Sequence, residues 1–316
     1  MPFRTLLALA LALVIPAAAV AQPPGAGGGG GGGEQPPPER EKYKPAHLPT
    51  NDELVSKAKA PPPVVPTEAE WRTPDPDNVM VIDTTKGRIV VEMYPEIAPA
   101  HVAQVRTLAK RHFYDGLSFF RVVDEFMDQT GDPKNTGEGG SDLPNLKGEF
   151  QFKRGPDTPF IKASVARGME LGFVGAMPVA SQPEALMAMT ANGKVNAWVV
   201  YCPGVAAMAR ANDPDSANSQ FFLMRGFYPS LMQKYTGWGR VLVGQDVVTA
   251  IKLGEPVPDP QDKMLTVRMA SDMPPADRPK VQVLDTRGPA FHAILTRSLA
   301  DKGPAGTVCD VQVPTR

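Results

Sequence analysis

The side chains best equipped for chemistry in this 316-residue chain fall in two short blocks that lie far apart. The first runs Phe119-Phe120-Arg121-Val122-Val123, then Phe126-Met127-Asp128-Gln129-Thr130-Gly131-Asp132-Pro133, with Gly137-Glu138-Gly139-Gly140 close behind. The second holds Met208-Ala209-Arg210-Ala211 and Asn218-Ser219-Gln220-Phe221-Phe222, followed by Leu231 and Tyr235. An arginine set among apolar residues supplies a planar fork of N–H donors that stays charged. Gln129 and Gln220 add amides that both donate and accept. Taken singly these residues are bland: Arg121 reads as a solvated strand charge, Phe126, Met127 and Phe222 as core, and the glutamines as partners for loop backbone. Other chemistries are poorly supported. His47, His101, His112 and His292 are too scattered for a metal site or a triad, and Gly137 to Gly140 lack the strand-turn-helix setting of a dinucleotide loop, so neither metal nor cofactor is expected.

Something must hold the two blocks together, and the flanking sequence reads as short strands. Two β-rich runs, 79–82 and 89–94, surround Thr84-Thr85-Lys86-Gly87-Arg88 and predict a hairpin. Pro99 opens a segment in which Val102, Val105, Leu108 and Ala109 recur at helical spacing, and Lys110 and Arg111 lie where cations suit a helix C-terminus. Further strands are expected at 117–123, 126–129, 205–210, 219–224, 238–243 and 265–269, with a second helix over 246–253 ending at Gly254. The pattern predicts a mostly β protein: a closed antiparallel β-barrel of about eight strands with two capping α-helices.

Together the two blocks resemble the cyclophilin family of peptidyl-prolyl isomerases. The resemblance covers about residues 78–273, with one long insertion at about 150–203, and is far more specific than a single short motif. It implies that Arg121 is catalytic and that Phe126, Met127, Phe222 and Leu231 receive a proline ring. Gln129 and Gln220 would hold substrate backbone, and Gly137, Ala209, Arg210, Ala211 and Tyr235 would complete the binding groove. The expected partners are unfolded or proline-containing polypeptides, with no nucleic acid.

Resonance in the amide imposes a rotation barrier of about 18–20 kcal/mol. A fixed guanidinium that donates to the twisted prolyl nitrogen, or to the neighbouring carbonyl, binds the transition state better than the planar ground state. Burying the ring contributes about 1.5–3 kcal/mol, and a ten-thousand-fold acceleration needs roughly 5.5 kcal/mol. The alternative reading is a catalytically weak chaperone or binding module that keeps the same fold.

Several positions depart from the family pattern. Phe120 stands where a histidine usually precedes the arginine, Thr130 replaces a glycine, and Arg210 replaces a residue, often asparagine, that acts through its backbone carbonyl. Tyr235 stands where histidine is common, and Ser230 takes the place of a tryptophan that contacts cyclosporin in many members. Weak cyclosporin binding with retained isomerase activity is expected.

The remainder of the chain concerns location and attachments. Arg4 precedes an apolar run from Leu6 to Val14, then Pro16 and the small residues 17–21, which predicts a secretory signal peptide over 1–21 cleaved after Ala21. The mature protein is expected to be exported and periplasmic, or alternatively secreted, without a membrane span and monomeric. Residues 22–77, rich in glycine and proline, are expected to be a disordered linker. The insertion, with Phe150-Gln151-Phe152, the methionine-bearing 184–189 and β-rich 195–201, is expected to be partly folded, the last run packing on the barrel or extending its sheet. Its methionines suit either core filling or an adaptable surface. The extension 274–316 holds a strand candidate at 281–284 and a helix candidate at 291–299. Cys202 and Cys309 are free to pair or to stay as buried thiols, and spacing does not decide between them. With 42% hydrophobic residues and a net charge of -1, nothing in the composition points to a nucleic-acid partner.

Overall fold

The computed structural model describes residues 64–303 and 306–316, so the expected signal peptide and most of the expected linker lie outside the described residues. The strands are β1 (Trp71–Arg72), β2 (Val79–Thr84), β3 (Gly87–Met93), β4 (Arg121–Val123), β5 (Met127–Thr130), β6 (Phe152–Arg154), β7 (Phe160–Ala166) and β8 (Met169–Val174). They continue with β9 (Met177–Ser181), β10 (Val195–Val199), β11 (Val205–Met208), β12 (Phe221–Met224), β13 (Gly237–Val243), β14 (Met264–Met269) and β15 (Val283–Leu284). The α-helices are α1 (Pro99–Lys110), α2 (Gln245–Ala250) and α3 (Pro289–Lys302).

β2 and β3 form the expected hairpin, in register from Val79 opposite Glu92 to Thr84 opposite Gly87. Its turn is tied by the Thr84 hydroxyl, which accepts from the backbone N–H of Lys86 and of Gly87 and donates to the Gly87 carbonyl. Gly87 has φ +141°, where an L side chain is strained. The hairpin enters an antiparallel sheet of order β14-β2-β3-β13-β11-β12-β5-β4. The sheet curls until the segments leading into its two edge strands meet at the Ser118–Lys263 bridge. The expected strand over 117–123 is therefore split: only 121–123 joins the ladder, while Phe119 N–H donates to the Asp262 carbonyl.

Helix α1 matches its expected span and packs on β14, burying Val102, Val105, Leu108 and Ala109. Its first turn is capped from the insertion, where the Glu149 carboxylate accepts from the N–H groups of Ala100 and His101 at 3.1 Å each. Helix α2 ends at Ala250, short of the expected 253. Ile251 turns extended and the Lys252 N–H donates to the Asp262 carboxylate instead of to the helix, while the Arg225 guanidinium takes the terminal carbonyls of Val248 and Thr249 at 3.0 and 2.7 Å.

Alternation along the strands, interrupted by irregularities at Ala206/Ala207, Val241/Val243 and Met264/Thr266, gives the sheet two buried faces. Phe221 and Leu223 point to one core, shared with Met80, Ile82, Trp238, Val267 and the apolar faces of α1 and α2. Phe222 and Met224 point outward into a second core, built with the insertion and the C-terminal extension.

The insertion is a five-stranded antiparallel sheet of order β6-β10-β9-β8-β7. Residues 195–199 thus do not extend the eight-stranded sheet but sit inside this second one, between β6 and β9. Its methionine-bearing turn, Glu184–Met189, contributes no buried residue, so those methionines are not core filler. Phe291 of α3 packs edge-on against Phe173 of β8, with ring centroids 5.4 Å apart. The Cys202–Cys309 disulfide, with Cα atoms 5.1 Å apart, fastens the extension to the segment between β10 and β11. The last part of the expected linker also carries structure: short 3-10 turns lie at Glu68–Glu70 and Pro76–Asn78, and β1 pairs with β15 through Trp71 and Leu284. Among the described residues no helix is long and apolar enough to cross a membrane.

Candidate active site

Strand pairing assembles the site. Gln129 of β5 lies opposite Arg121 of β4 on one side and opposite Phe222 of β12 on the other, and Phe222 lies opposite Ala207 of β11. These four residues form one row across four strands and share the outward face. A residue slip in any one pairing would send its side chain to the opposite face.

Over this row lies a pocket of about 120 Å³. Its floor and walls are Met127, Phe222 and Leu231, all buried, with half-buried Phe126 and Tyr235, and Arg121 and Gln129 stand at its edge. Phe126 is braced by Tyr228, with ring centroids 4.4 Å apart, and Tyr235 meets Phe222 edge-on at 6.0 Å. Ala209 and Arg210 complete the lining and are shared with a neighbouring depression of about 500 Å³ that holds Gly137, Ala211 and Gln220. All twelve site residues expected from the sequence thus fall in two adjoining hollows that have Gln129, Ala209 and Arg210 in common.

A chain of polar contacts runs along the row. Arg121 donates through Nη1 to Gln129 Oε1 at 3.2 Å, Gln129 Nε2 donates to Gln220 Oε1 at 2.9 Å, and Gln220 Nε2 donates to the carbonyls of Gly137 and Gly139 at 2.9 and 2.7 Å. The amides are consequently oriented before any ligand arrives. The loop they reach is built around buried Asp132, whose carboxylate accepts from the backbone N–H groups of Lys134, Thr136, Gly137 and Gly139. Burial alone would raise the Asp132 pKa, but these donors hold it below the usual carboxylate range.

The departures from the family pattern have local explanations. Phe120 is buried and lies under Gly137, where a Cβ would approach its ring edge at 3.7 Å. The Thr130 hydroxyl, fully buried, donates to the Ser118 carbonyl at 2.9 Å. The Arg210 side chain lies over the Tyr235 ring, 4.5 Å from its centroid, while its Nε donates to the Lys234 carbonyl. It therefore shapes the rim where the two hollows join. Ser230 is exposed.

Sequence reasoning missed four residues that shape the site. Glu255 accepts from Arg121 Nε at 2.6 Å, Asp132 organises the glycine loop, Tyr228 backs Phe126, and Asp128 lies buried between Met127 and Gln129 against Arg225. The close succession of Asp132 and the glycines 137, 139 and 140 was a usable signal for the loop; no local pattern marks the others. Among the described residues there is no cluster of three or more His, Cys, Asp or Glu side chains suited to a metal ion.

The match to known proteins follows this anatomy. Residues 79–271 match the family model described as cyclophilin type peptidyl-prolyl cis-trans isomerase/CLD. The chain is 31% identical over 191 residues to a probable peptidyl-prolyl cis-trans isomerase of Brucella suis, which spans 57% of this chain and 74% of that protein. It is 29% identical over 189 residues to the peptidyl-prolyl cis-trans isomerase-like 1 protein of Rhizopus delemar, spanning 60% of this chain and 87% of that one. Among solved structures, a cyclophilin from Hirschia baltica superposes with a TM-score of 0.73 at 37% identity, covering 80% of this chain and 98% of that one. This coverage reaches beyond the family-matched residues, so the likeness takes in flanking structure as well.

Proposed function

This chain belongs to the cyclophilin-type peptidyl-prolyl cis-trans isomerase family, and from that premise we propose that Arg121 is its catalytic group and the pocket beside it the proline site. The observation that carries this reading is the row Arg121–Gln129–Phe222, which sets a donor, a backbone-binding amide and an apolar floor side by side. The proline ring enters the hollow over Phe222, Met127 and Leu231, which anchors one side of the amide. The other side turns while the guanidinium, held in place beforehand, donates to the group that gains electron density as resonance is lost. Gln129 and Gln220 hold the flanking peptide backbone. In this reading the curled sheet acts as the family's closed barrel, with α1 and α2 as its caps.

The protein acts as an exported monomer that speeds the folding of proline-containing chains, for which uncatalysed X-Pro isomerisation takes tens to hundreds of seconds. Support for export comes from the N-terminal sequence pattern and from the Cys202–Cys309 disulfide, which suits an oxidising compartment. The test is isomerisation of a short X-Pro peptide by the mature protein beside a folded Arg121→Ala variant. Fast catalysis that falls by orders of magnitude in the variant supports the assignment. No acceleration by the intact protein leaves a peptide-binding module as the better account.

A further inference from the structure

The catalytic guanidinium is held by a carboxylate of its own chain, and the backbone places that carboxylate there by construction. Gly254 and Val122 exchange both backbone hydrogen bonds, at 2.8 and 2.9 Å, and Val257 N–H donates to the Phe120 carbonyl at 2.9 Å. The two residues flanking Arg121 are therefore pinned to the two sides of the 254–257 turn, and Glu255 stands opposite Arg121. The turn is itself tightly made. A Cβ on Gly254 would come within 2.6 Å of Val257 Cα, and Val257 is buried. Lys252 Nζ reaches the carbonyls of Pro258, Asp259 and Pro260, and Gln261 Nε2 donates to the Val257 carbonyl.

Glu255 Oε1 takes Arg121 Nε at 2.6 Å, while Gln129 Oε1 takes Nη1 at 3.2 Å. Among the described residues Nη2 has no protein acceptor, so one end of the guanidinium is left with its donors unspent. We propose that, given the isomerase reading above, Glu255 is a positioning residue: it holds the guanidinium by Nε while Gln129 holds Nη1, so that the group is fixed at the pocket edge with the Nη2 donors left for the proline amide. Both side chains are substantially exposed, 35% for Arg121 and 57% for Glu255, and an exposed ion pair adds little to stability. Its effect is to remove rotamer freedom from a long side chain, and transition-state stabilisation by a charged donor depends on that donor being oriented in advance.

The test compares kcat and KM for an X-Pro peptide across Glu255→Ala, Glu255→Gln and the wild type, with each also made in an Arg121→Ala background. The expected result is a fall in kcat of about tenfold for Glu255→Ala, with KM and the thermal midpoint nearly unchanged. Glu255→Gln, which keeps an acceptor for Nε, restores part of the loss. In the Arg121→Ala background the Glu255 substitution has no further effect, which a general structural role would not produce. Unchanged kcat in Glu255→Ala overturns the proposal, and increased kcat overturns it in favour of Glu255 as a competitor for the guanidinium. A wild type without activity would instead undo the isomerase assignment of Arg121, so the two failures are distinct.

Discussion

The carboxylate of Asp128 receives the guanidinium of Arg225 at 3.1 Å, in a position where Asp128 is fully buried and Arg225 nearly so. That contact lies directly behind the pocket, since Met127 and Gln129 flank Asp128, and the same guanidinium closes α2. It joins the floor of the site to the C-terminal end of the helix.

Burial raises the Asp128 pKa from 3.8 to about 7, against the opposing pull of Arg225. A raised folded-state value means that the folded protein binds the proton more tightly than the unfolded chain. The stability from this group is present below the unfolded value and is lost as pH rises towards 7. Asp128→Asn should therefore flatten the dependence of unfolding free energy on pH between about 4 and 7, by up to about 1.4 kcal/mol per pH unit. Denaturant melts of both proteins at stepped pH check this; parallel curves would show that Asp128 is ionised in the fold across that range.

The disulfide should matter for stability and, more weakly, for the site. It links residues 107 apart, and cross-links of that span contribute about 2–5 kcal/mol. Cys202 follows Tyr201, whose carbonyl accepts from Tyr228 N–H, and Tyr228 braces Phe126. Cys309→Ser should lower the unfolding free energy by that amount and raise KM for an X-Pro peptide by a few-fold, with kcat retained. Urea unfolding and steady-state kinetics on the same preparation separate the two effects.

Asp132→Ala should release the glycine loop. Removing the carboxylate leaves four backbone N–H groups without their acceptor, at a cost of about 1–3 kcal/mol. Gln220 then loses the fixed carbonyls of Gly137 and Gly139, so peptide binding should weaken more than the chemical step slows. Hydrogen exchange at residues 134–139, faster in the variant, would locate the change.

Much of this anatomy was readable from residue order. The hairpin of β2 and β3 announces itself through its apolar runs and Gly87, and the two blocks around Arg121 and Phe222 name the residues that strand pairing then sets side by side. What stayed hidden depends on distant partners. Helix α2 stops early where Asp262 takes the Lys252 N–H and Arg225 caps the last carbonyls, and Glu255 reaches Arg121 only through the Val122–Gly254 bridge. The insertion sheet was obscured because β8 and β9 contain Gly172 and Pro178, residues that read against a strand. Gly172 is required there, since a Cβ would lie 2.1 Å from the Ile161 carbonyl oxygen. The cysteines carry no local sign of the approach that places their Cα atoms 5.1 Å apart.

The strand order also dictates a sequence of assembly. Val81 in the first hairpin pairs outward with Arg268, and Val91 pairs with Val241. A chain emerging from its N-terminus therefore carries β3 with an open outer edge until residues 237–243 are made, and β2 until residues 264–269. The five-stranded sheet draws all its strands from residues 152–199 and is whole long before then. Non-local pairing of this kind is intrinsically slow to form. An isomerase so built is itself a late finisher, with a completed annex waiting on a main sheet whose first strands are the last to find all their neighbours.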